Sequence, residues 1–270
     1  MRYTASLISI VFSALVFSVF AGKAWAGLSI SPAFLEVNMS KGTPSGQFQI
    51  SNTGDEVERY RVKMVYFTFS SDGGFRELPD DEHSLVPWLK FNPKEFAIPP
   101  KSRQAVRFFI PNHGKLKGGE YRAAMELESL KTAEAKSSDD KGRNFRFQVV
   151  SSIVVPIFAT YGDVRYTGIV KDAKLVVKDT HKKIETVVQN TGQGRLFVIG
   201  EYEIVNESGD VAAKGPLNRA YVMPGTERVL TTEIKNELPL GKFTMRIKYH
   251  SSQLKQPLVE EIPIKNDAQI

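Results

Sequence analysis

Cysteine is absent from the 270 residues. That excludes disulfides, a thiol nucleophile and any thiolate metal site. Histidine is scarce. His83, His113, His181 and His250 lie far apart, with no His-x-x-x-His spacing and no aspartate-rich calcium loop beside them. No Gly-x-Ser-x-Gly elbow and no glycine-rich phosphate loop occurs. A non-enzyme is expected, with no catalytic residues, no cofactor and no metal. Charge of one sign is also lacking. There are 36 basic and 30 acidic side chains, and the basic ones are scattered among the acidic ones. Nucleic-acid binders cluster theirs on one face, so no nucleic-acid partner is expected. Beyond the N-terminus no segment approaches the roughly 20 apolar residues of a spanning helix, so no membrane insertion is expected.

Residues 1–26 have the layout of an export signal. Arg2 supplies a positive start, Leu7 to Phe20 is apolar, and Gly22-Lys23 ends the run. Ala24-Trp25-Ala26 puts small residues at the two positions a signal peptidase reads. Cleavage after Ala26 leaves 244 residues starting at Gly27, with 34 basic side chains against 30 acidic ones.

Helix-period patterning is nearly missing, and alternation of period two recurs between turn residues. Phe48-Gln49-Ile50 ends at Ser51-Asn52-Thr53-Gly54. Tyr60 to Thr68, Val106 to Ile110 and Tyr121 to Leu127 follow. Leu28-Ile30 and Leu35-Val37-Met39 change parity across Ser31-Pro32, which reads as an edge strand that kinks. The second half shows the same style in seven runs between Lys174 and Ile264. About seven strands, twice over, predict an all-β chain of two immunoglobulin-like β-sandwich domains in tandem, placed at 27–160 and 161–270. Lys131 to Arg143 has no large apolar residue and is dense in charge, which predicts a mobile loop.

One long strand follows that loop, Phe145 to Phe158. Phe145, Phe147, Val149, Ile153, Val155 and Ile157 share one parity. The other face starts polar at Arg146 and Gln148 and turns apolar at Val154, Pro156 and Phe158. A strand apolar on both faces is buried on both, so the later half belongs inside, near the junction of the domains. The earlier half has two readings. It is the last core strand of a sandwich, or it is an edge left open to another chain. In the second case backbone hydrogen bonds give affinity and alternate side chains fill the partner's pockets.

The order of these features resembles the periplasmic pilus-assembly chaperones of the chaperone–usher type. Leu28-Ser29-Ile30-Ser31-Pro32, Ile50-Ser51-Asn52-Thr53-Gly54, Ile98-Pro99-Pro100 with Val106-Arg107, and Val155-Pro156-Ile157-Phe158 with Tyr161-Gly162 are similar to segments of that family. Gly119-Glu120-Tyr121-Arg122 resembles its archaic branch. The resemblance implies a periplasmic chaperone that lends strand 145–157 to pilus or fimbrial subunits by donor-strand complementation and hands them to an outer-membrane usher. It implies Phe145, Phe147, Val149, Ile153 and Val155 as the lent side chains. Self-association is a further way to cap such a strand. The family's usual pair of cations for a subunit's terminal carboxylate is missing, since Phe34 and Pro156 stand at the nearest positions. Arg122, then Arg107, are the replacement candidates. The rival readings are an exported two-domain adhesin or surface subunit, and an exported hydrolase on a sandwich scaffold.

Overall fold

The computed structural model describes residues 27–267 apart from 43, 112, 132, 139–143, 179–180 and 236–237. The export signal expected over 1–26 lies outside the described residues. Every period-two run is a strand. The first twelve are β1 (Leu28–Ser31), β2 (Leu35–Asn38), β3 (Ser45–Asn52), β4 (Glu58–Phe69), β5 (Phe75–Leu78), β6 (Lys90–Asn92), β7 (Glu95–Ile98), β8 (Arg103–Phe109), β9 (Gly119–Ser129), β10 (Ala133–Ser138), β11 (Asn144–Val149) and β12 (Ser152–Tyr161). The remaining seven are β13 (Gly168–Lys178), β14 (His181–Asn190), β15 (Leu196–Asn206), β16 (Val211–Val222), β17 (Glu227–Glu233), β18 (Gly241–His250) and β19 (Leu258–Asn266).

These form two β-sandwiches. The first stacks sheet β1-β3-β8-β6 on sheet β2-β12-β9-β4-β5, with β7 also on β4. Its core includes Phe48, Ile50, Val106, Phe108, Met125, Val155 and Ile157, all almost fully enclosed. The second stacks β13-β14-β17 on β16-β15-β18-β19, around Ile184, Val198, Ile204, Met245, Ile247 and Tyr249. The parity change at Ser31-Pro32 is more than a kink. β1 pairs β3 in one sheet and β2 pairs β12 in the other, so the chain switches sheets there.

Two expectations need correction. Lys131 to Arg143 is not all loop: Ala133–Ser138 is a strand paired with Asn144–Val149 in a separate two-stranded ribbon. Nor is 145–158 one strand. Glu128 pairs Ser152 and Ala133 pairs Val149, so four residues on one side face two on the other. An unequal count of this kind bends a hairpin and interrupts its ladder. On the other side of β9 the ladder with β4 runs on, the Leu130 amide donating to Arg59 O at 2.9 Å.

The sandwiches meet along a seam. Phe67, Val65, Ala124 and Phe158 of the first pack with Met223 of the second. The seam follows from the sequence of three neighbouring strands. On β4 the outer face passes from Arg61 and Lys63 to Val65 and Phe67, and on β9 it passes from Glu128 and Glu126 to Ala124. In register with them, Val154 and Pro156 of β12 face Glu126 and Ala124. Outer faces are charged where water covers them and apolar where the second sandwich does. A polar contact fixes the far end of the seam. Arg228 Nη1 donates to Ser70 O at 2.7 Å, and the Val229 amide donates to Ser71 O at 2.9 Å. Gly73 in that turn has φ +100°, and a Cβ on it would lie 2.5 Å from Arg228 Nη2, so both the turn and the clamp require glycine.

Candidate functional site

β12 is paired unequally on its two sides. β9 follows it from Ser152 to Tyr161. β2 covers the other side only from Ile157 to Thr160. Among the described residues, the second side of Ser152–Pro156 has no strand partner. Ile153 there is 42 % exposed, and Val150 just before it is 50 % exposed. Apolar side chains beside unpaired backbone on an edge strand are what proteins ordinarily blunt with charge or proline. Here only Pro156 does so, at the end that meets β2. Val155, on the same face as Ile153, is enclosed in its own core. The side chains of Phe145, Phe147 and Val149 lie outside the described residues; their backbone is in β11, which among the described residues pairs only with β10.

The second sandwich shows what the first has added. Pairing order β1-β3-β8 matches β13-β14-β17, and β12-β9-β4-β7 matches β19-β18-β15-β16. Even the turns agree. Asn52 Oδ1 accepts from the Gly54 amide and its Nδ2 donates to Ile98 O; Asn190 Oδ1 accepts from the Gly192 amide and its Nδ2 donates to Val222 O. Against that shared frame, β18 and β19 are joined by Ser251–Pro257, seven residues, whereas β9 and β12 are joined by 22, Leu130–Ser151. A short connection suffices for this hairpin, so the β10–β11 ribbon is an insertion, and it sits at the start of the open edge. Two surface grooves, by contrast, carry no such signal. One of about 590 Å³ lined by Lys90, Phe91 and Phe108 and one of about 550 Å³ lined by Lys214, Gly215 and Thr232 open at matching places in the two sandwiches. A feature present in both copies belongs to the frame.

Of the two candidate anchors, Arg107 is exposed on β8 and lines the first of those grooves. Arg122 is 6 % exposed. Its Nε donates to Phe67 O at 2.7 Å and its Nη2 to Tyr66 Oη at 2.9 Å. Burial pushes the Tyr66 phenol up to about 12, so it stays protonated, accepting from Arg122 while donating to Asp81 Oδ2 at 2.8 Å. Arg122 forms part of an inter-sandwich cleft of about 870 Å³, bordered by Trp88, Lys117 and Tyr121 on one side and by Gln193 and Pro224 on the other. None of its lining residues comes from β2 or β12. Arg122 faces Phe158 in register, yet its cleft and the open edge lie on opposite sides of the β12–β9 pair. Phe34, at the place of one missing cation, packs edge-on against Tyr221 at 6.4 Å.

Sequence reading missed a third cation. Arg195, at the start of β15, is 5 % exposed. Its Nη1 donates to Glu120 Oε2 at 2.5 Å and its amide to Glu120 Oε1 at 3.1 Å, while Nη2 binds Glu36 Oε1. The guanidinium lies 3.8 Å over the Phe158 ring. Glu36 on β2 and Glu120 on β9 thus reach across β12 to one arginine of the other sandwich. No spacing along the chain announces this, because the three residues come from three separate elements.

No family model matches the chain, and no curated protein matches it. Solved structures do. The class 5 fimbriae chaperone CfaA is 12 % identical, with 90 % of this chain and all of that one covered, at a TM-score of 0.48. A chaperone–tip adhesin complex of CFA/I fimbriae gives 12 % identity, 87 % and 98 % coverage and the same score. The CsuC–CsuE chaperone–tip adhesin subunit complex of archaic Csu pili from Acinetobacter baumannii gives 15 % identity, 89 % and 99 % coverage and a TM-score of 0.41. The chain resembles chaperone–usher fimbrial chaperones.

Proposed function

We propose that this protein is a periplasmic chaperone that stabilises pilus or fimbrial subunits by donor-strand complementation and passes them to an outer-membrane usher. The observation that carries the reading is the open side of Ser152–Pro156, preceded by a ribbon that the second sandwich lacks. A partner sandwich short of one strand finds there both an unpaired backbone edge and alternating large apolar residues. Phe145, Phe147, Val149 and Ile153 are the proposed contacts, with Val155 supplying backbone edge while its side chain stays in its own core. Each large apolar side chain buried contributes about 1.5–3 kcal/mol, so a few can hold an unstable client without nucleotide hydrolysis. In this reading 27–160 is the lending domain, 161–270 braces it through the seam, and 1–26 is a signal removed on export. Among the described residues no helix is long and apolar enough to cross a membrane.

The test is co-purification from the periplasm. A small exported β-protein is expected with the wild type and is lost with Phe147→Asp, while the thermal midpoint holds because β11 belongs to neither sandwich sheet. Unfolding of the first sandwich by Phe147→Asp would instead make 145–149 an ordinary core strand and sink the reading. A partner carboxylate at Arg122 is a separate proposal, since it requires entry to the cleft from the β4 side; unchanged partner yield with Arg122→Ala removes it.

A further inference from the structure

The ribbon and the first sandwich are out of step by two residues. In the sandwich Ile153 faces Leu127 and Ser152 faces Glu128, and the Ser129 amide still donates to Ser151 O at 2.9 Å. That register, carried on, would set Val149 opposite Lys131 and Phe147 opposite Ala133. In the ribbon Val149 faces Ala133 and Phe147 faces Ala135 instead. The first arm therefore spends 130–132 where the second spends Val150 alone, and Val150 is 50 % exposed there. Both ends of the mismatch are fixed. β9 holds Ser151 on one arm. On the other the Leu130 amide donates to Arg59 O, and Lys131 Nζ holds Glu56 Oε2 and Glu58 Oε1, each at 3.0 Å. Only the ribbon beyond can shift. A slip of one residue would turn every side chain to the other face, whereas a slip of two keeps the faces. The ribbon has six paired positions as it stands, and slipped by two it has six again, 131–136 against 144–149. The connection at its tip lengthens by two residues, a small change in closure entropy. In exchange Leu130 and Val150 fall opposite each other and the bulge is gone.

We propose that β10–β11 is a two-register ribbon: a slip of two residues straightens 145–156 into one strand, and an added strand draws it into that register. This rests on the strand-addition reading above and says how the lent strand becomes continuous. In the bulged register the open edge is broken at Val150, and 145–149 run out of line with Ile153. The slip sets 145, 147 and 149 in the row of Ile153 along one straight edge. An added strand pairs with more residues on the straight edge than on the broken one, and that difference shifts the balance between the two registers. The second sandwich has no counterpart of this play: β18 and β19 pair from Gly241 to Tyr249 without a register shift.

The chain has no cysteine, so introduced pairs report the register directly. Three full-length variants share Glu134→Cys. One adds Gln148→Cys for the bulged register, one Arg146→Cys for the slipped register, and one Asn144→Cys for a slip of four. None alters a proposed contact. A disulfide needs Cβ atoms about 3.5–4.5 Å apart, so each pair closes in one register only. In a glutathione redox buffer the 134–148 and 134–146 bonds are expected to close, the second more slowly, and the 134–144 pair to stay open, as read by mass mapping. The probe is a short fluorescent peptide of alternating valine and threonine. Its anisotropy is expected to show several-fold tighter binding to the chain locked at 134–146 than to the chain locked at 134–148, with the difference erased by reduction. A 134–146 bond that never closes, a 134–144 bond that closes as readily, or two locked chains that bind the peptide equally overturns the two-register ribbon while leaving strand addition standing. Absence of binding by every form overturns both.

Discussion

Asn52 and Asn190 show how one residue type closes the same corner twice. Each is 1 % exposed. Each takes a glycine amide two residues on, and the amides of Asn52 and Asn190 themselves donate to Ser102 O and Thr226 O at 2.9 and 3.0 Å. An alanine at 190 keeps that backbone bond but takes the side-chain partner from Val222 O, Gly194 O and the Gly192 amide. Asn190→Ala is therefore expected to destabilise the second sandwich by about 1–3 kcal/mol for each group stranded. Urea unfolding checks it, and a change under half a kcal/mol, roughly surface-like, would contradict it. The pair was visible in the sequence as Asn-Thr-Gly at 52–54 and 190–192. That the two turns are equivalent needed the pairing order, since the residues around them differ.

At the scale of elements, the open edge is the feature that sets the first sandwich apart. Its counterpart β19 lies against β13 in the second sandwich. Edges elsewhere are blunted: β16 carries Lys214 and Pro216, and β6 has only three residues. Ile153→Lys would blunt the β12 edge in the same manner. The side chain is already 42 % exposed, so stability is expected to move by about half a kcal/mol or less while the partner is lost from co-purification. Retention of the partner at wild-type yield would show that the edge is not the contact. The sequence showed the apolar parity of 145–157 and its switch to apolar on both faces. It did not show the break at Val150-Ser151, because that depends on four residues facing two across the hairpin.

At the scale of the whole molecule, two sandwiches are held by a greasy seam with a polar clamp at each end. The Arg195 clamp is not a simple gain in stability. Burial raises the Glu120 carboxyl above the ordinary glutamate value of 4.5, and the charge and hydrogen bonds of Arg195 lower it only in part. A raised folded-state value means that the native chain binds more protons there than the unfolded chain. The contribution of this group to stability is thus full below 4.5 and is lost as pH rises through the raised value. Glu120→Gln lacks that dependence. Urea unfolding at stepped pH is expected to show wild type losing ground to Glu120→Gln as pH rises above 4.5; wild type gaining ground would contradict it. Buried pairs of this type set geometry more than stability, and here the geometry fixed is that of one sandwich on the other.

The sequence by itself determined the strand content, the near-doubling of one sandwich pattern and the apolar character of Val154 to Phe158 on both faces, one buried and the other half-buried before Phe158. These follow from alternation and turn chemistry, which act between neighbours in the chain. It also marked 145–157 as the candidate for a lent strand, through parity and through the order of motifs. The tertiary structure alone decided which part of that strand is open, since openness depends on where β2 stops. It alone drew Glu36, Glu120 and Arg195 together, and it alone put Arg122 in a cleft on the far side of β9. Pairing distance and charge contact act across space, between elements far apart in sequence, and leave no period to read. The export signal is a reading of residues 1–26, and the proposed function gives it a use: a client held at the open edge by binding energy alone.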